Sequence, residues 1–189
     1  MKRKNFLLTA ITAMPALLLA TPFKPGKPDR SKKGFVVKSG ESRFAEKTLV
    51  GGKNSNDIKI SEKDTNGDLS IFEYVGIEKT GPPLHMHPHQ DEIFFVVEGD
   101  YLFKVGDDKH VLKAGDTIFL PRGIPHTFLQ ISEAGKLFFL FQPSGKMEDF
   151  FRTIGSLTAP PTPEHGATIF ADHDMLVVGP PLQLKDIEQ

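Results

Sequence analysis

Between residues 81 and 92 the chain reads Gly-Pro-Pro-Leu-His-Met-His-Pro-His-Gln-Asp-Glu, which crowds imidazoles and carboxylates into one short segment. His85 and His87 are two apart, so on an extended strand both rings leave the same face. Two such nitrogens chelate a first-row divalent ion. Glu92 follows a break at Pro88, where the chain bends before the next strand begins, and adds a charged oxygen ligand. His126 comes after Pro121-Arg122-Gly123-Ile124-Pro125, a segment that reverses the chain and opens a later strand. A fourth ligand from there closes one side of an ion and leaves positions open to water or substrate. The plain alternative is that these histidines only pack or hydrogen-bond. His89 shares the parity of His85 and His87 but sits behind Pro88, so a place at the rim is expected for it. Asp91 is expected to face solvent, and His110, His165 and His173 to lie on the surface.

Such ligands need a rigid frame, and the chain reads as an all-β one. From residue 34 to 141 short apolar runs are separated by turn signals. Strands are expected at 34–38, 57–61, 70–77, 92–98, 100–105, 110–113, 117–120, 127–131 and 136–141. Turns fall at Thr65-Asn66-Gly67-Asp68, Gly99-Asp100, Gly106-Asp107-Asp108 and Glu133-Ala134-Gly135. Tyr101, Phe103 and Val105 alternate, as do Leu137, Phe139 and Phe141. By the same parity Phe94 follows Glu92, and Phe128 and Gln130 follow His126. Phe94, Phe128 and Gln130 are therefore the candidate substrate-binding residues beside the ion, with a structural hydrogen bond the equal alternative for Gln130. After Pro143, Ser144 is placed to cap a helix reaching about Gly155, with Phe150, Phe151 and Ile154 facing the barrel. A proline-rich connector at 159–163, a second short helix at 164–172 and an apolar run at 175–178 complete the chain.

Two spaced patterns make the chain similar to the cupin superfamily. The first is His85-x-His87, then Glu92, then Gly99; the glycine usual six residues before the first histidine is absent, with Gly81 close by. The second is Gly115, Pro121, Gly123 and His126, with Gln130 where an asparagine is usual. The resemblance implies a single double-stranded β-helix, or jelly-roll, barrel that binds one divalent transition metal (Fe, Mn, Ni, Co, Cu or Zn) through His85, His87, Glu92 and His126. The segment from Gly81 to Phe141, with Gln142-Pro143-Ser144-Gly145, Phe150-Phe151 and Val178-Gly179-Pro180-Pro181-Leu182, resembles bacterial single-domain quercetinase-like cupins.

That resemblance implies a flavonol-cleaving dioxygenase, with dioxygen as co-substrate and Glu92 as catalytic base. An ion of this kind also suits a Lewis-acid isomerase, in which Glu92 shuttles a proton between adjacent carbons. A non-catalytic barrel that binds a small ligand or senses metal is the third reading. A homodimer is expected from the resemblance.

Composition narrows the remaining classes. With 23 Lys and Arg against 24 Asp and Glu, bulk charge gives no reason to recruit nucleic acid. The absence of cysteine excludes disulfides, thiolate sites and cysteine nucleophiles. The 16 phenylalanines need burial, in a core or around an apolar pocket. Lys2-Arg3-Lys4 followed by an apolar run from Phe6 to Ala20 has the form of an export signal and is short for a membrane span. Arg3-Lys4-Asn5-Phe6-Leu7 resembles a twin-arginine signal with one arginine replaced. The expected organisation is a signal at 1–20, a flexible leader at 21–33, a barrel at 34–143 and a helical extension at 144–189. Export to the periplasm or beyond, without membrane contact after cleavage, follows from that division.

Overall fold

The computed structural model describes residues 30–188. The expected signal at 1–20 and most of the leader lie outside the described residues. Two antiparallel sheets face one another. The six-stranded sheet runs β1 (Leu49–Val50), β2 (Asn54–Ile60), β3 (Ser70–Gly76), β10 (Gly135–Gln142), β5 (Asp91–Glu98), β8 (Thr117–Leu120). The five-stranded sheet runs β11 (Leu176–Gly179), β4 (Leu84–Met86), β9 (His126–Gln130), β6 (Tyr101–Val105), β7 (Asp108–Leu112). From β3 onwards the chain crosses between the sheets at every step except the β6–β7 hairpin, and it winds as a jelly roll.

Period-two patterning explains which faces meet. On β5 the inward set Glu92, Phe94 and Val96 is buried, while Phe95 and Val97 face out. On β10 Leu137, Phe139 and Phe141 are buried, and Phe139 stacks on Phe72 with ring centres 5.2 Å apart. The turn from β5 into β6 depends on Gly99: its φ is +86°, and a Cβ there would lie 2.7 Å from the Ala134 carbonyl oxygen. That is a physical reason for glycine at this point of the first pattern.

Among the described residues three short α-helices, α1 (Glu62–Thr65), α2 (Met147–Gly155) and α3 (Pro163–Asp172), and a 3-10 turn at Leu184–Glu188 accompany the strands. Helix α1 carries a capping box in which Ser61 and Asp64 exchange bonds with each other's backbone. Helices α2 and α3 pack against the barrel through Phe150 and Phe170, whose ring centres are 4.8 Å apart.

Three expectations need correction. Residues 34–38 form no strand. Val36 is 86 % exposed, and the neighbouring Phe35 is covered by the Arg43 guanidinium, 4.0 Å from the ring centre, instead of entering the core. Ser144 does not cap α2. Gly145, at φ +57°, separates it from the helix, and Lys146 occupies the cap position without a side-chain bond. The segment 144–189 also supplies more than helices, because β11 pairs with β4 and completes the five-stranded sheet.

Candidate metal centre

The four candidate ligands come from three strands and one loop. His85 on β4 and His126 on β9 are cross-strand partners. Glu92 is the second residue of β5 in the opposite sheet, and His87 lies just beyond the end of β4. One ligand atom from each falls within 4.8 Å of every other, and all four residues are buried. The Glu92 Oε2 atom is 3.1 Å from His126 Nε2 and 3.8 Å from His87 Nε2.

Backbone carbonyls set the tautomers. His85 Nδ1 is 2.9 Å from the Pro83 oxygen, and His126 Nδ1 is 2.9 Å from the Ile124 oxygen. A carbonyl only accepts, so each Nδ1 carries the hydrogen and donates it, leaving the lone pair on Nε2. Burial, reinforced by His126, holds the His85 pKa down to about 3, and burial with His85 and His126 beside it brings His87 to about 2. Neutral imidazoles at physiological pH are the form that ligates metal. Burial pushes the Glu92 carboxyl above its ordinary value, against a downward pull from His126. A buried cation there would favour the ionised carboxylate.

The donor set fits such an ion on a further observation. Both ring nitrogens of His87 and the Nε2 of His126 are buried without a hydrogen-bond partner. Buried ring nitrogens without partners are costly in a folded interior unless something binds them, and a cation between these imidazoles and Glu92 would do so.

A second layer of contacts fixes the ligands in place. Arg122 donates from its backbone N and from Nε to Asp91 Oδ1, at 2.9 Å and 3.0 Å, and from Nη2 to Asp91 Oδ2 at 2.6 Å. The same guanidinium donates to the Gln142 carbonyl at 3.2 Å, and the Gly123 N–H donates to the His87 carbonyl at 2.9 Å. The loop before β9 is thereby tied both to the start of β5 and to His87. Asp91, expected to face solvent, is instead half-buried in this pairing; its helper Arg122 was not singled out from sequence. Hydrogen bonds from Arg122 hold the Asp91 carboxyl below its ordinary value.

The centre opens onto a cavity of about 720 Å³ between the sheets and helices α2 and α3. Phe94 and Phe128 both line it, as do Phe150, Phe151 and Ile154 from α2 and Phe170 from α3. Gln130 does not. It stands four residues along β9 from His126, roughly 13 Å away, and its Nε2 donates to the Gly76 and Ser132 carbonyls at 3.2 Å and 3.0 Å. Parity predicted its face but not its depth, and its place is in the barrel wall. His89 is exposed and outside the ligand group; His110 and His165 are exposed, and His173 is half-buried. Sequence reasoning missed Phe170, whose ring lies 5.3 Å from that of His85.

A two-sheet barrel with three imidazoles and a carboxylate gathered at one end defines a class of protein, and comparison with known proteins places the chain within it. Residues 74–141 match the family model described as a cupin domain. A protein of Aquifex aeolicus (strain VF5), described only as uncharacterized, is 31 % identical over 116 residues, covering 55 % of this chain and 96 % of that one. Quercetin 2,3-dioxygenase of Bacillus subtilis (strain 168) is 26 % identical over 121 residues, covering 64 % of this chain and 34 % of that protein. The match thus spans about a third of the length of that enzyme. Among solved structures, an RmlC-like cupin from Shewanella frigidimarina NCIMB 400 superposes with a TM-score of 0.52 at 23 % identity, over 62 % of this chain and 96 % of that one. The chain belongs to the cupin superfamily.

Proposed function

We propose that this cupin is a metal-dependent dioxygenase whose substrate is a flavonol-like or enediol-type molecule. The observation that carries the reading is the convergence of His85, His87, Glu92 and His126 on one point, at the edge of a large cavity walled by aromatic rings. A divalent transition metal held by these four residues supplies a Lewis-acid and redox-active centre for an oxygenated substrate and dioxygen. The similarity to the Bacillus quercetin dioxygenase supports the substrate class, while the barrel alone does not fix it.

The chain's own residues have definable tasks. Phe94 and Phe128, with ring centres 5.6 Å apart, present apolar surface to a flat ring. Phe150, Phe151 and Phe170 cover the cavity from the helical side and exclude water. Glu92 Oε2, facing the imidazoles, takes the proton of a substrate hydroxyl as the enolate-like form develops. Both atoms of dioxygen enter the product, so no external reductant is required. The basic and apolar segment at 1–20 supports export, and a homodimer remains the expected assembly.

Oxygen consumption tests the reading. Protein loaded in turn with iron, manganese, nickel, cobalt or copper is given a flavonol panel in an oxygen electrode. Uptake of one dioxygen per flavonol consumed, lost in His85→Ala, is the expected result. Turnover of an oxygenated compound without oxygen uptake would point to Lewis-acid isomerisation instead. Binding with no turnover at all would leave a ligand-binding barrel.

A further inference from the structure

The cavity has a second polar point, far from the metal ligands. Among the described residues, the buried polar side chains that both line the cavity and hold atoms without a partner are His87 and His126 of the metal centre, and Asn54 and Asn56. Both asparagines lie on β2 and neither has any exposed surface. Asn54 accepts a hydrogen bond from the Ile77 N–H at 2.8 Å through Oδ1, while its Nδ2 has no partner. For Asn56 both Nδ2 and Oδ1 lack one. Cross-strand partners share a face, and Asn56 stands opposite Tyr74 as Ile58 stands opposite Phe72, so the Asn56 amide faces inward with them. A strand packed only for stability would carry an apolar residue there, since a buried amide without partners opposes folding.

From this we infer that Asn54 and Asn56 form a hydrogen-bonding subsite for the end of the substrate remote from the metal ligands. The inference rests on the ligand-binding part of the proposed function. It specifies the substrate class: a planar, largely apolar molecule with a chelating oxygen pair at one end and a hydroxyl or carbonyl group at the other. A carboxamide both donates and accepts, so a phenolic hydroxyl satisfies either of its faces.

The sheet register gives the required length. Asn56 aligns through Tyr74 and Leu137 with Val96. Val96 is four residues beyond Glu92 on β5, roughly 13 Å along the strand, and β2 is three strand spacings from β5, roughly 14 Å across. Side chains reach inward from both places. They leave a gap on the order of 10 Å, which a molecule of two or three fused or linked rings spans.

The test uses two ligands and the zinc-loaded protein, titrated by calorimetry. One ligand is unsubstituted flavonol; the other is the same compound with one phenolic hydroxyl on its pendant ring. The wild type is expected to prefer the hydroxylated compound about tenfold, equivalent to about 1.4 kcal/mol. Asn56→Leu is expected to erase that preference. Asn56→Ala, which cannot overpack the site, is carried in parallel, and thermal unfolding of both variants checks that they fold. A preference that survives both substitutions overturns the inference, as does a wild type that binds the two ligands equally or binds neither. Oxygen uptake is read separately on the redox-metal-loaded protein. A hydroxyl preference that depends on Asn56, without oxygen consumption, keeps the subsite and removes the dioxygenase.

Discussion

Replacing His87 by leucine should make the metal-free protein more stable while destroying its ability to bind metal. His87 has no exposed surface, and neither ring nitrogen has a partner. Its ring lies between His126, stacked at 5.3 Å, and Phe141 at 5.2 Å. Leucine fills most of that volume without leaving orphaned nitrogens. Relief of a buried unsatisfied group amounts to about 1–3 kcal/mol, or roughly 2–10 °C in Tm for a domain of this size.

The pH dependence sharpens the prediction. In the unfolded chain the imidazole titrates at about 6.5, whereas burial holds it at about 2 in the fold. Below pH 6.5 the unfolded state therefore binds more protons, and this group draws stability out of the wild type as the pH falls. Leucine removes that drain, so its advantage should widen by about 2 kcal/mol between pH 7 and pH 5. The assay is thermal unfolding of both proteins in excess chelator at the two pH values, with competition against a chromogenic chelator for metal affinity. A variant less stable than wild type in chelator, or a gap that does not widen at pH 5, would refute the claim that His87 is held strained for a ligand.

Glu73→Gln should cost about 3 kcal/mol, read by urea unfolding, because it leaves the buried Lys59 ammonium, 2.8 Å from Glu73 Oε2, without its counter-charge. Burial pushes the Glu73 carboxyl up, but bonds from Lys59 and Lys136 outweigh it and bring the pKa to about 2. The stabilisation is thus present above pH 4.5 and fades as the pH falls towards 2, so the wild-type advantage should close in acid. Gly81→Ala should cost about 3 kcal/mol and weaken metal binding, since a Cβ at 81 would sit 1.7 Å from the Phe128 carbonyl oxygen and displace β9 two residues from His126. Chelator competition and thermal unfolding check both parts.

The metal residues could be read from sequence because their placement is local: a two-residue spacing on a strand, a proline bend, and a glycine-proline reversal each act within a few residues. The barrel was legible for the same reason, from alternation on β5, β6 and β10. What escaped depends on long-range packing. The Gly34-Phe35-Val36-Val37-Lys38 run has strand composition, yet it pairs with no strand and Val36 stays in solvent. The Asn54-Ser55-Asn56 run looks like a polar loop, and only pairing with β3 turns those amides inward. Gln130 has the right parity, but depth along a strand is set by where the opposite wall closes, which no spacing rule encodes. Phe170 reaches the centre because α3 folds back over the barrel mouth, a tertiary event with no local signature.

His85, His87, Glu92 and His126 are proposed to share one ion. Elemental analysis of natively purified protein, followed by X-ray absorption on the same sample, tests this most directly. One divalent transition-metal ion per chain is predicted, with nitrogen and oxygen neighbours at about 2.0–2.2 Å, of which the imidazole contribution shrinks in His85→Ala. Protein expressed with ample metal that carries none, and takes up none on titration, would contradict it.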